Sequence, residues 1–573
     1  MRDREPGSQS QEPSAKRQRI SASPVRGGSL EEMASLHPTI HLNQIERTLQ
    51  TLLLDVAQYI HEKESPNENR DEINRAETVL RFTGGWVRDK LLGVQSHDID
   101  VGISNMTGYQ FGMHLKEYLD IPENLEKYKK DLPKGEMHDA IVSLHKIEAN
   151  PEKSKHLETV TTKIFGLDID LVNLRKETYS EDSRNPQMEF GTATEDALRR
   201  DATINALFYN LNESKLEDLT ERGLVDMEKH IIRTPLEPFQ TFKDDPLRVL
   251  RLIRFASRLG YQIDPEAEAA MQNEDIRVAL KLKISKERVG AELEKMLKGP
   301  DPRGALEFID KLNLFPTIFA NHQDEVTADT SNWSLAYTTL GKLLQQGPDY
   351  RTLHPLLIDD ESDAHHAWMI ATFAPWMSIP PRSDTEIKPR PTSTRVVEIA
   401  RDSLRTDNKT LQVLRDASLH YKDIITQKSN LRDNIILGSR AEIRQQIGLH
   451  LRAWGKDWRL CIVMALLHEV MQGRDMSKGR ISSNHLFPSI LTCLVVAEYN
   501  AFMSYIIENS LLNVHSLVPV VNGGEIIQHM GGKKGPWMTK ATTMVIEWQL
   551  LHPDTDKEAT LGELSRRRGE LGL

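Results

Sequence analysis

RFTGGWVRDKLLGVQSHDIDVGIS, residues 81–104, is the stretch that decides the fold, because a glycine turn and a short helix join two strand-like runs in it. The apolar run that ends at Thr83 predicts a strand, and Gly84 and Gly85 allow a sharp turn into a helix. Backbone N–H groups at such a turn can approach a phosphate. Considered alone, however, a Gly-Gly turn is also an ordinary strand-to-helix connection.

Two aspartates follow the helix in the apolar run HDIDVGIS. Side chains two residues apart on a strand point to the same face, so we expect Asp98 and Asp100 to stand side by side. Such a pair can hold a divalent metal. Arg88, one turn into the helix, is positioned to contact a phosphate at the glycine turn.

The tripeptide DID occurs a second time, in GLDIDLVNL, where no Gly-Gly turn and helix precede it. On a neighbouring strand, Asp170 would supply a third carboxylate to the first pair. Alternatively, Asp168 and Asp170 are strand-edge acids that are hydrogen-bonded or solvated. The residues alone leave both interpretations open.

Composition limits the class of protein. The chain has 573 residues, 39% hydrophobic and 27% charged, which is enough for a sizeable core over several domains. The two cysteines, Cys461 and Cys493, form neither a disulfide framework nor a zinc pattern, which favours a reducing, intracellular compartment. We see no run of about 18 apolar residues and therefore expect no membrane span. With a formal charge of −11, RNA binding would depend on local basic stripes and be sensitive to salt.

Hydrophobic periodicity separates an N-terminal mixed part from a long helical part. Residues 1–40, rich in Ser, Pro, Arg and Gly, are predicted to be disordered. Residues 41–230 alternate strand-like and helix-like segments, with helices predicted at 41–62 and 106–120. From 231 onward, apolar residues recur with helical spacing, as in SKERVGAELEKML and DPRGALEFIDKL.

A row of arginines marks the segment KDDPLRVLRLIRFASRLGY, residues 243–261. Arg248, Arg251, Arg254 and Arg258 fall within roughly 120° of a helix, opposite an apolar face. A solvated basic face is the simplest explanation of such a row. Arginine without lysine favours a functional row, because guanidinium groups make planar, bidentate contacts.

A further cluster, Arg199-Arg200-Asp201, stands in EDALRRDATINALFYNL and is by itself a common surface pattern. The combination of GGWVRD, DID, RRDATINAL and DDPLR is far more specific. It resembles the class II tRNA nucleotidyltransferases, the CCA-adding enzymes, and the related bacterial poly(A) polymerases. The family usually carries Glu at the first position of the last motif, where this chain has Asp244.

The resemblance implies an α+β nucleotidyltransferase head of the DNA polymerase β type, with a mixed sheet, followed by an elongated all-α neck, body and tail. The implied divisions are a catalytic head at 41–230, a neck with the base-recognition motif at 231–315, a body at 316–510 and a tail at 511–573. Asp98 and Asp100 would be the catalytic residues that bind Mg²⁺. The residues implied in nucleotide binding are Gly85, Arg88, Arg200, Asp201, Asp245, Arg248, Arg251 and Arg254.

In the family, the Asp and Arg of the DDPLR motif pair with the Watson–Crick edge of the incoming base, which assigns that role to Asp245 and Arg248. A carboxylate accepts a hydrogen bond from the amino group of C or A, and a guanidinium donates to a ring nitrogen or carbonyl. Neither G nor U offers that order of donor and acceptor. Arg251 and Arg254 would reach the phosphates or orient the two base readers.

Two other segments have an implied role. The polar stretch between Tyr179 and Asp196 lacks periodicity and is predicted to be a loop of about 17 residues. Relatives use a flexible loop there in the switch from C to A addition. Residues 517–550 resemble the family's tail, which touches the tRNA elbow, although a structural helical hairpin would look the same. Residues 330–510 carry no motif that we can identify.

The expected enzyme adds CCA to the 3′ end of tRNA from CTP and ATP and releases pyrophosphate. We expect it to contact the acceptor end and elbow of tRNA, to act as a monomer away from membranes, and to serve the cytoplasm, nucleus and mitochondrion. A poly(A) polymerase and a CC-only or A-only tRNA nucleotidyltransferase are the alternatives within the family. A non-catalytic RNA-binding protein that kept the fold is the alternative outside it.

Overall fold

The computed structural model describes residues 39–64, 77–130, 141–147, 159–180, 183–321, 325–382, 393–473, 487–531 and 533–572. The segment predicted to be disordered, residues 1–40, lies outside the described residues except at Thr39 and Ile40.

Strands and short helices alternate in the N-terminal part, as the sequence predicted. The strands are β1 (Leu80–Thr83), β2 (Asp98–Ile103), β3 (Ile141–Ile147), β4 (Thr159–Ile164), β5 (Leu167–Asn173), β6 (Arg175–Ser180), β7 (Ser183–Phe190), β8 (Leu207–Asn210), β9 (Lys215–Asp218), β10 (Ile231–Ile232) and β11 (Gln262–Ile263). The helices among them are α1 (Gln44–Glu64), α2 (Gly85–Leu91), α3 (Gly108–Leu119), α4 (Pro122–Lys129), α5 (Ala193–Leu198) and α6 (Gly223–Glu228). The helices predicted at 41–62 and 106–120 are therefore confirmed as α1 and α3.

One mixed sheet organises this part, with strand order β3-β4-β5-β2-β1-β8-β9. β2 and β5 run parallel, whereas β1 pairs antiparallel with both β2 and β8. Alternate residues of these strands are fully buried, including Phe82, Ile99 and Ile169, and Phe111 of α3 is buried with them. The apolar residues of β2 and β5 thus pack on one face of the sheet, and the aspartates of the two DID tripeptides lie on the opposite face.

The polar stretch predicted to be a loop is instead largely a hairpin. β6 and β7 pair antiparallel, with Arg175 opposite Phe190 and Glu177 opposite Met188. The prediction failed because this hairpin has no apolar alternation. Its Glu177 carboxylate accepts hydrogen bonds from Arg175 at 3.0 Å and from Arg199 at 3.0 Å. The ion pair with Arg199 ties β6 to the residue that follows α5.

The chain beyond β10 is almost entirely helical, as expected. Its helices are α7 (Pro238–Asp244), α8 (Leu247–Leu259), α9 (Pro265–Met271), α10 (Glu274–Lys283), α11 (Lys286–Leu297), α12 (Pro302–Lys311), α13 (Phe315–Ile318), α14 (Trp333–Leu344), α15 (His354–Leu357), α16 (Glu361–Phe373), α17 (Arg395–Leu404), α18 (Asn408–Arg432), α19 (Arg440–Trp454), α20 (Trp458–Gln472), α21 (Phe487–Glu508), α22 (Gly523–Met530), α23 (Trp537–Leu551) and α24 (Lys557–Arg566). The division of this region into neck, body and tail stays a prediction.

Two hydrophobic cores matter in the helical part. The main core continues from the sheet as far as α23 and includes the fully buried Trp333, whose indole N–H donates to the Ala371 carbonyl at 2.8 Å. A smaller second core lies near the C-terminus and joins Ile526, Met544 and Leu564. Helices that bury aromatic residues in this way gain most of their stability from packing rather than from intrinsic propensity.

One stretch of α21, Ile490–Glu508, is long and apolar enough to cross a membrane by length and composition, with a mean hydropathy of 1.6. Glu498 interrupts this stretch, so the sequence shows no continuous apolar run, and the expectation of no membrane span stays a prediction. Tyr499 and Phe502 of this helix are buried in the main core, and Glu498 pairs with Lys428 at 2.7 Å. Buried core helices pass the same test, so this single helix is weak evidence for a membrane span.

Candidate active site

A glycine turn places the first helix of the site against the carboxylates. β1 ends at Thr83, and Gly84 then adopts φ +72°, a conformation that side chains with a Cβ avoid. A Cβ atom at Gly84 would lie 3.0 Å from Arg200 Nη1 and 3.4 Å from Asp100 Oδ2. The turn therefore needs glycine for both its conformation and its close approach. Gly85, the predicted nucleotide-binding residue, is the first residue of α2.

Asp98 and Asp100 stand two residues apart on β2, as predicted, and β5 runs beside them. The parallel register aligns Asp98 with Asp168 and Asp100 with Asp170. The pKa of Asp100 is raised to about 6, chiefly by burial and also by the charges of Asp170 and Asp98, with Arg200 opposing them. Burial and the charges of Asp170 and Asp168 also raise the pKa of Asp98. These carboxylates repel one another at neutral pH, an arrangement that a bound cation would relieve.

The donor set fits a magnesium ion that shares its coordination with a substrate. Within the described ranges, no group of three or more His, Cys, Asp or Glu side chains is arranged to hold a metal by itself. Mg²⁺ needs fewer, because one or two carboxylates together with substrate phosphates and water complete its shell. Asp98 and Asp100 meet that requirement.

The structure agrees with both interpretations of the second acidic pair, Asp168 and Asp170. Its position beside Asp100 supports Asp170 as a third carboxylate. At the same time Asp170 Oδ1 accepts a hydrogen bond from the Thr161 hydroxyl at 2.7 Å, as a hydrogen-bonded strand residue would. A catalytic part for Asp170 therefore stays a prediction.

Arg88 lies at the wall of the site with its guanidinium bound to protein groups. The side chain is 3% exposed and donates to Asp89 at 2.8 and 2.6 Å and to Asn205 Oδ1 at 2.5 Å. Burial lowers the pKa of Arg88, and Asp89 opposes that effect. In this arrangement Arg88 ties α2 to the segment after α5, and direct contact with a phosphate stays a prediction.

Arg200 and Asp201, which follow α5, both line the cavity and both bond to Asn205. Arg200 donates to Asp196 at 2.9 Å and, through Nη1, to the Asn205 carbonyl at 3.2 Å. Asp201 is 7% exposed and accepts hydrogen bonds from Arg251 at 2.6 Å and from Asn205 at 3.2 Å. Burial raises the pKa of Asp201, but Arg251 and the hydrogen bonds outweigh it and lower that pKa to about 2. Asp201 is thus ionised and joins the sheet to α8.

The predicted arginine row lies on α8, with Val249, Leu252 and Ile253 buried on the opposite side. The row is paired rather than freely solvated, since Arg254 binds Glu292 of α11 at 2.6 Å. Arg258 binds Asp89 at 3.1 Å. These pairs tie α8 to α11 and to α2.

The two predicted base readers are also held by neighbours. Arg248 donates to the Arg199 carbonyl at 2.7 Å. Asp245 Oδ1 accepts from the Leu247 backbone N–H at 3.2 Å, and Oδ2 accepts from Arg288 of α11 at 3.4 Å. Asp245 and Arg248 therefore lie one helical turn apart at the start of α8.

One cavity of about 630 Å³ unites the site between the sheet and α8. Every predicted site residue lines it: Gly85, Arg88, Asp98, Asp100, Arg200, Asp201, Asp245, Arg248, Arg251 and Arg254. A larger cavity of about 1140 Å³ lies between α11 and α16–α18 and contains none of them. We take the smaller cavity as the active site because the charged groups converge there; the individual roles of its residues stay predictions.

Among the residues of the cavity and its wall that sequence reasoning missed are Glu177, Arg288 and Glu292. Glu177 was passed over because it sits in a polar stretch without periodicity. Arg288 and Glu292 lie one turn apart in SKERVGAELEKML, which was recognised only as an amphipathic helix. The available signal was that Arg288 and Glu292 have opposite charges and are spaced i, i+4, on a helix that follows the arginine row of α8.

Comparison with known proteins agrees with this geometry. Residues 80–233 match the family model described as the poly(A) polymerase head domain, and residues 260–325 match "Probable RNA and SrmB- binding site of polymerase A". The chain is 39% identical to the nucleotidyltransferase lcsQ of Purpureocillium lilacinum, covering 93% of each chain. It is 36% identical to the mitochondrial CCA tRNA nucleotidyltransferase of Saccharomyces cerevisiae, covering 91% of this chain and 93% of the relative.

Solved structures show the same fold. The apo form II of a CCA-adding enzyme matches with a TM-score of 0.57 and 17% identity, over 91% of this chain and 96% of the other. The Thermotoga maritima CCA-adding enzyme in complex with tRNA matches with a TM-score of 0.54 and 18% identity, over 90% and 97%. From motifs, fold and relatives together, the chain belongs to the tRNA nucleotidyltransferase and poly(A) polymerase family of enzymes.

Proposed function

We propose that this enzyme adds CCA to the 3′ end of tRNA, using CTP and ATP and releasing pyrophosphate. The single observation that carries the proposal is the cavity of about 630 Å³, in which the carboxylate pair faces the arginine row and the two base readers. Relatives of similar length carry the name CCA tRNA nucleotidyltransferase, and related structures were solved with CTP and with ATP.

Asp98 and Asp100 would hold the Mg²⁺ of the reaction, which lowers the pKa of the attacking tRNA 3′-hydroxyl and neutralises charge on the phosphates. The protein supplies the surroundings. The Gly84–Gly85 turn leaves room for the triphosphate beside Asp100, because no Cβ fills the space. Arg200 lies next to that turn and offers positive charge close to the phosphates.

Base choice would rest on the start of α8. Asp245 offers an acceptor and Arg248 a donor, which match the Watson–Crick edges of C and A but not of U and G. Arg248 would exchange its bond to the Arg199 carbonyl for one to the base. Arg251 and Arg254, held by Asp201 and Glu292, would keep the row aligned with the phosphates.

The remaining parts of the proposal concern partners and location. We propose contacts of residues 511–573 with the tRNA elbow, a monomeric enzyme and no membrane association. The mitochondrial names of two relatives support a mitochondrial location, to which we add the nucleus and cytoplasm as proposals. Mg²⁺ is the proposed metal on the grounds of its donor preference.

The first test uses tRNA that ends at its discriminator base, with CTP and ATP supplied singly and together. We expect two C residues from CTP alone and a complete CCA end from both nucleotides. A poly(A) polymerase would extend the end with many A residues. A CC-only or A-only enzyme would stop early or require a tRNA that already ends in CC. Any of these outcomes replaces the proposed CCA activity.

A variant separates catalysis from RNA binding. Asp98→Ala removes one metal-binding carboxylate and is expected to abolish every addition while tRNA binding is kept. The control is Asp433→Ala, a half-exposed aspartate whose partner is the adjacent Arg432. Near-normal C addition by Asp98→Ala would contradict the metal assignment. If the unmodified protein adds no nucleotide to tRNA, the alternative of a non-catalytic RNA-binding protein replaces the proposed enzyme.

A further inference from the structure

Helix α11 forms the far wall of the active-site cavity and presents two charged residues to α8. Glu292 is 4% exposed and binds Arg254, which fixes the packing of the two helices. One turn earlier, Arg288 lines the cavity and reaches Asp245 Oδ2 at 3.4 Å. The base-reading carboxylate is thus in contact with an element that the sequence motifs did not include.

The two oxygens of Asp245 are held from different directions. Oδ1 accepts the Leu247 backbone N–H, which begins α8. A carboxylate held by one oxygen can still rotate about its last side-chain torsion, which has a broad energy minimum. The contact from Arg288 to Oδ2 restrains this rotation. An ionised carboxylate accepts about four hydrogen bonds, so this contact leaves capacity for the amino group of a base.

We propose that Arg288 is a positioning residue for base selection, which acts by orienting Asp245 toward the amino group of C or A. This inference rests on the proposed CCA activity. A fixed carboxylate oxygen repels the carbonyl oxygen that U or G presents at the corresponding place. When Asp245 can rotate, that repulsion weakens, and a guanidinium in the cavity becomes a donor for the wrong base. Arg288 therefore contributes to rejecting U and G more than to the chemical step.

The ion pair between Arg288 and Asp245 contributes little to folding, so its effect on base selection can be measured separately from any effect on stability. The side chains of Arg288 and Asp245 are 36% and 23% exposed, so their ion pair is partly screened by water. Loss of Arg288 should therefore leave the protein folded. A helix-forming residue such as alanine keeps α11 intact at this position.

The experiment compares Arg288→Ala and Arg288→Lys with the unmodified enzyme on one tRNA that lacks its CCA end. The readout is the ratio of kcat/KM for CTP to that for UTP. We expect Arg288→Ala to lower this ratio about tenfold, since one restraining hydrogen bond is lost. Lysine keeps the charge but not the planar donor fork, so Arg288→Lys should restore part of the ratio. An unchanged ratio in Arg288→Ala overturns the inference.

A matched control is Arg303→Ala, which removes an arginine of a similarly exposed ion pair on the next helix, α12. Its CTP to UTP ratio should equal that of the unmodified enzyme. A fall in kcat/KM for both nucleotides by the same factor in Arg288→Ala, with a lower melting temperature, would show a structural role only and overturn the inference.

Asp245→Asn separates this inference from the proposed function. If Asp245→Asn leaves the selection of C and A intact, base reading by α8 fails, and Arg288 has no reader to position. If Asp245→Asn relaxes selection but Arg288→Ala does not, base reading stands and only the role of Arg288 fails. Relaxed selection in both variants, no larger in the double variant than in Asp245→Asn alone, supports the inference.

Discussion

Replacement of Asp201 by asparagine tests whether the sheet and α8 are joined by a buried charge pair. Asp201→Asn keeps the shape of the side chain and its contact with Asn205 but removes the negative charge that faces Arg251. In the unmodified protein Asp201 is 7% exposed, Arg251 Nε donates a hydrogen bond of 2.6 Å to Asp201 Oδ2, and Arg251 Nη2 lies 2.6 Å from the same oxygen in an ion pair. The remaining Arg251 would face a neutral amide at the same distance.

The magnitude follows from the pKa of Asp201, which falls from 3.8 to about 2 in the folded protein. Each pKa unit corresponds to about 1.4 kcal/mol, so the ionised form stabilises the fold by about 2.5 kcal/mol. A carboxylate whose pKa is lowered by folding gives this stability in full above its unfolded pKa. The contribution is lost as the pH falls from about 4 to about 2.

The assay is urea denaturation followed by circular dichroism at pH 7, 3 and 2. At pH 7 we expect Asp201→Asn to lower the free energy of unfolding by about 2.5 kcal/mol, and at pH 2 by less than about 1 kcal/mol. The exposed pair of Arg432 and Asp433 provides the control, because Asp433→Asn should change stability by less than about 0.5 kcal/mol. A loss that is equal at pH 7 and pH 2, or no larger than the control, refutes the charge-pair explanation.

Three further substitutions test other parts of the fold. Gly84→Ala should lower the free energy of unfolding by about 1–2 kcal/mol and slow nucleotide addition, because φ is +72° and a Cβ would lie 3.0 Å from a guanidinium. Gly562→Ala is the control, since no heavy atom lies within 4 Å of its Cβ position, and it should have neither effect in the same denaturation and addition assays. Lys428→Met should cost about 3 kcal/mol in urea denaturation, because the buried Lys428 ammonium pairs with both Glu469 at 3.0 Å and Glu498 at 2.7 Å. Lys428→Met with Glu498→Leu should recover part of this loss, since Glu498 then no longer needs the cation; no recovery would contradict this reason. Trp333→Ala should cost about 3–5 kcal/mol, because the side chain is fully buried; a change under about 1 kcal/mol would show that the core can collapse around the site.

The sequence predicted the parts of the site that depend on spacing within one element. Asp98 and Asp100 share a strand face because strands alternate, and the arginine row of α8 shares a helix face because helices repeat every 3.6 residues. The glycine turn required the positive φ that Gly84 shows. In each case a few neighbouring residues determine the geometry, so no knowledge of distant contacts was needed.

The missed parts depend on contacts between elements that are far apart in sequence. The Arg88 guanidinium donates to Asn205, which lies far along the chain, and the sequence alone did not indicate this contact. Glu177 is held at the cavity by Arg199, which follows α5 and lies outside the hairpin. Arg288 is distant from Asp245 in sequence and adjacent in space. Local periodicity does not report such pairings, since they arise from how helices and strands pack.

Helix α23 has two apolar faces, and each belongs to a different core. Ile546 and Leu550 belong to the main core, whereas Met544 and Val545 belong to the smaller C-terminal one. Leu550 also fills the space beside Gly448, where a Cβ atom would lie 2.8 Å from its Cδ2. The C-terminal helices thus cover part of the main core and also form the smaller core with one another. A shortened form of the protein that stops before α23 would expose apolar surface on α19, and its aggregation would reflect an uncovered core rather than a lost RNA contact.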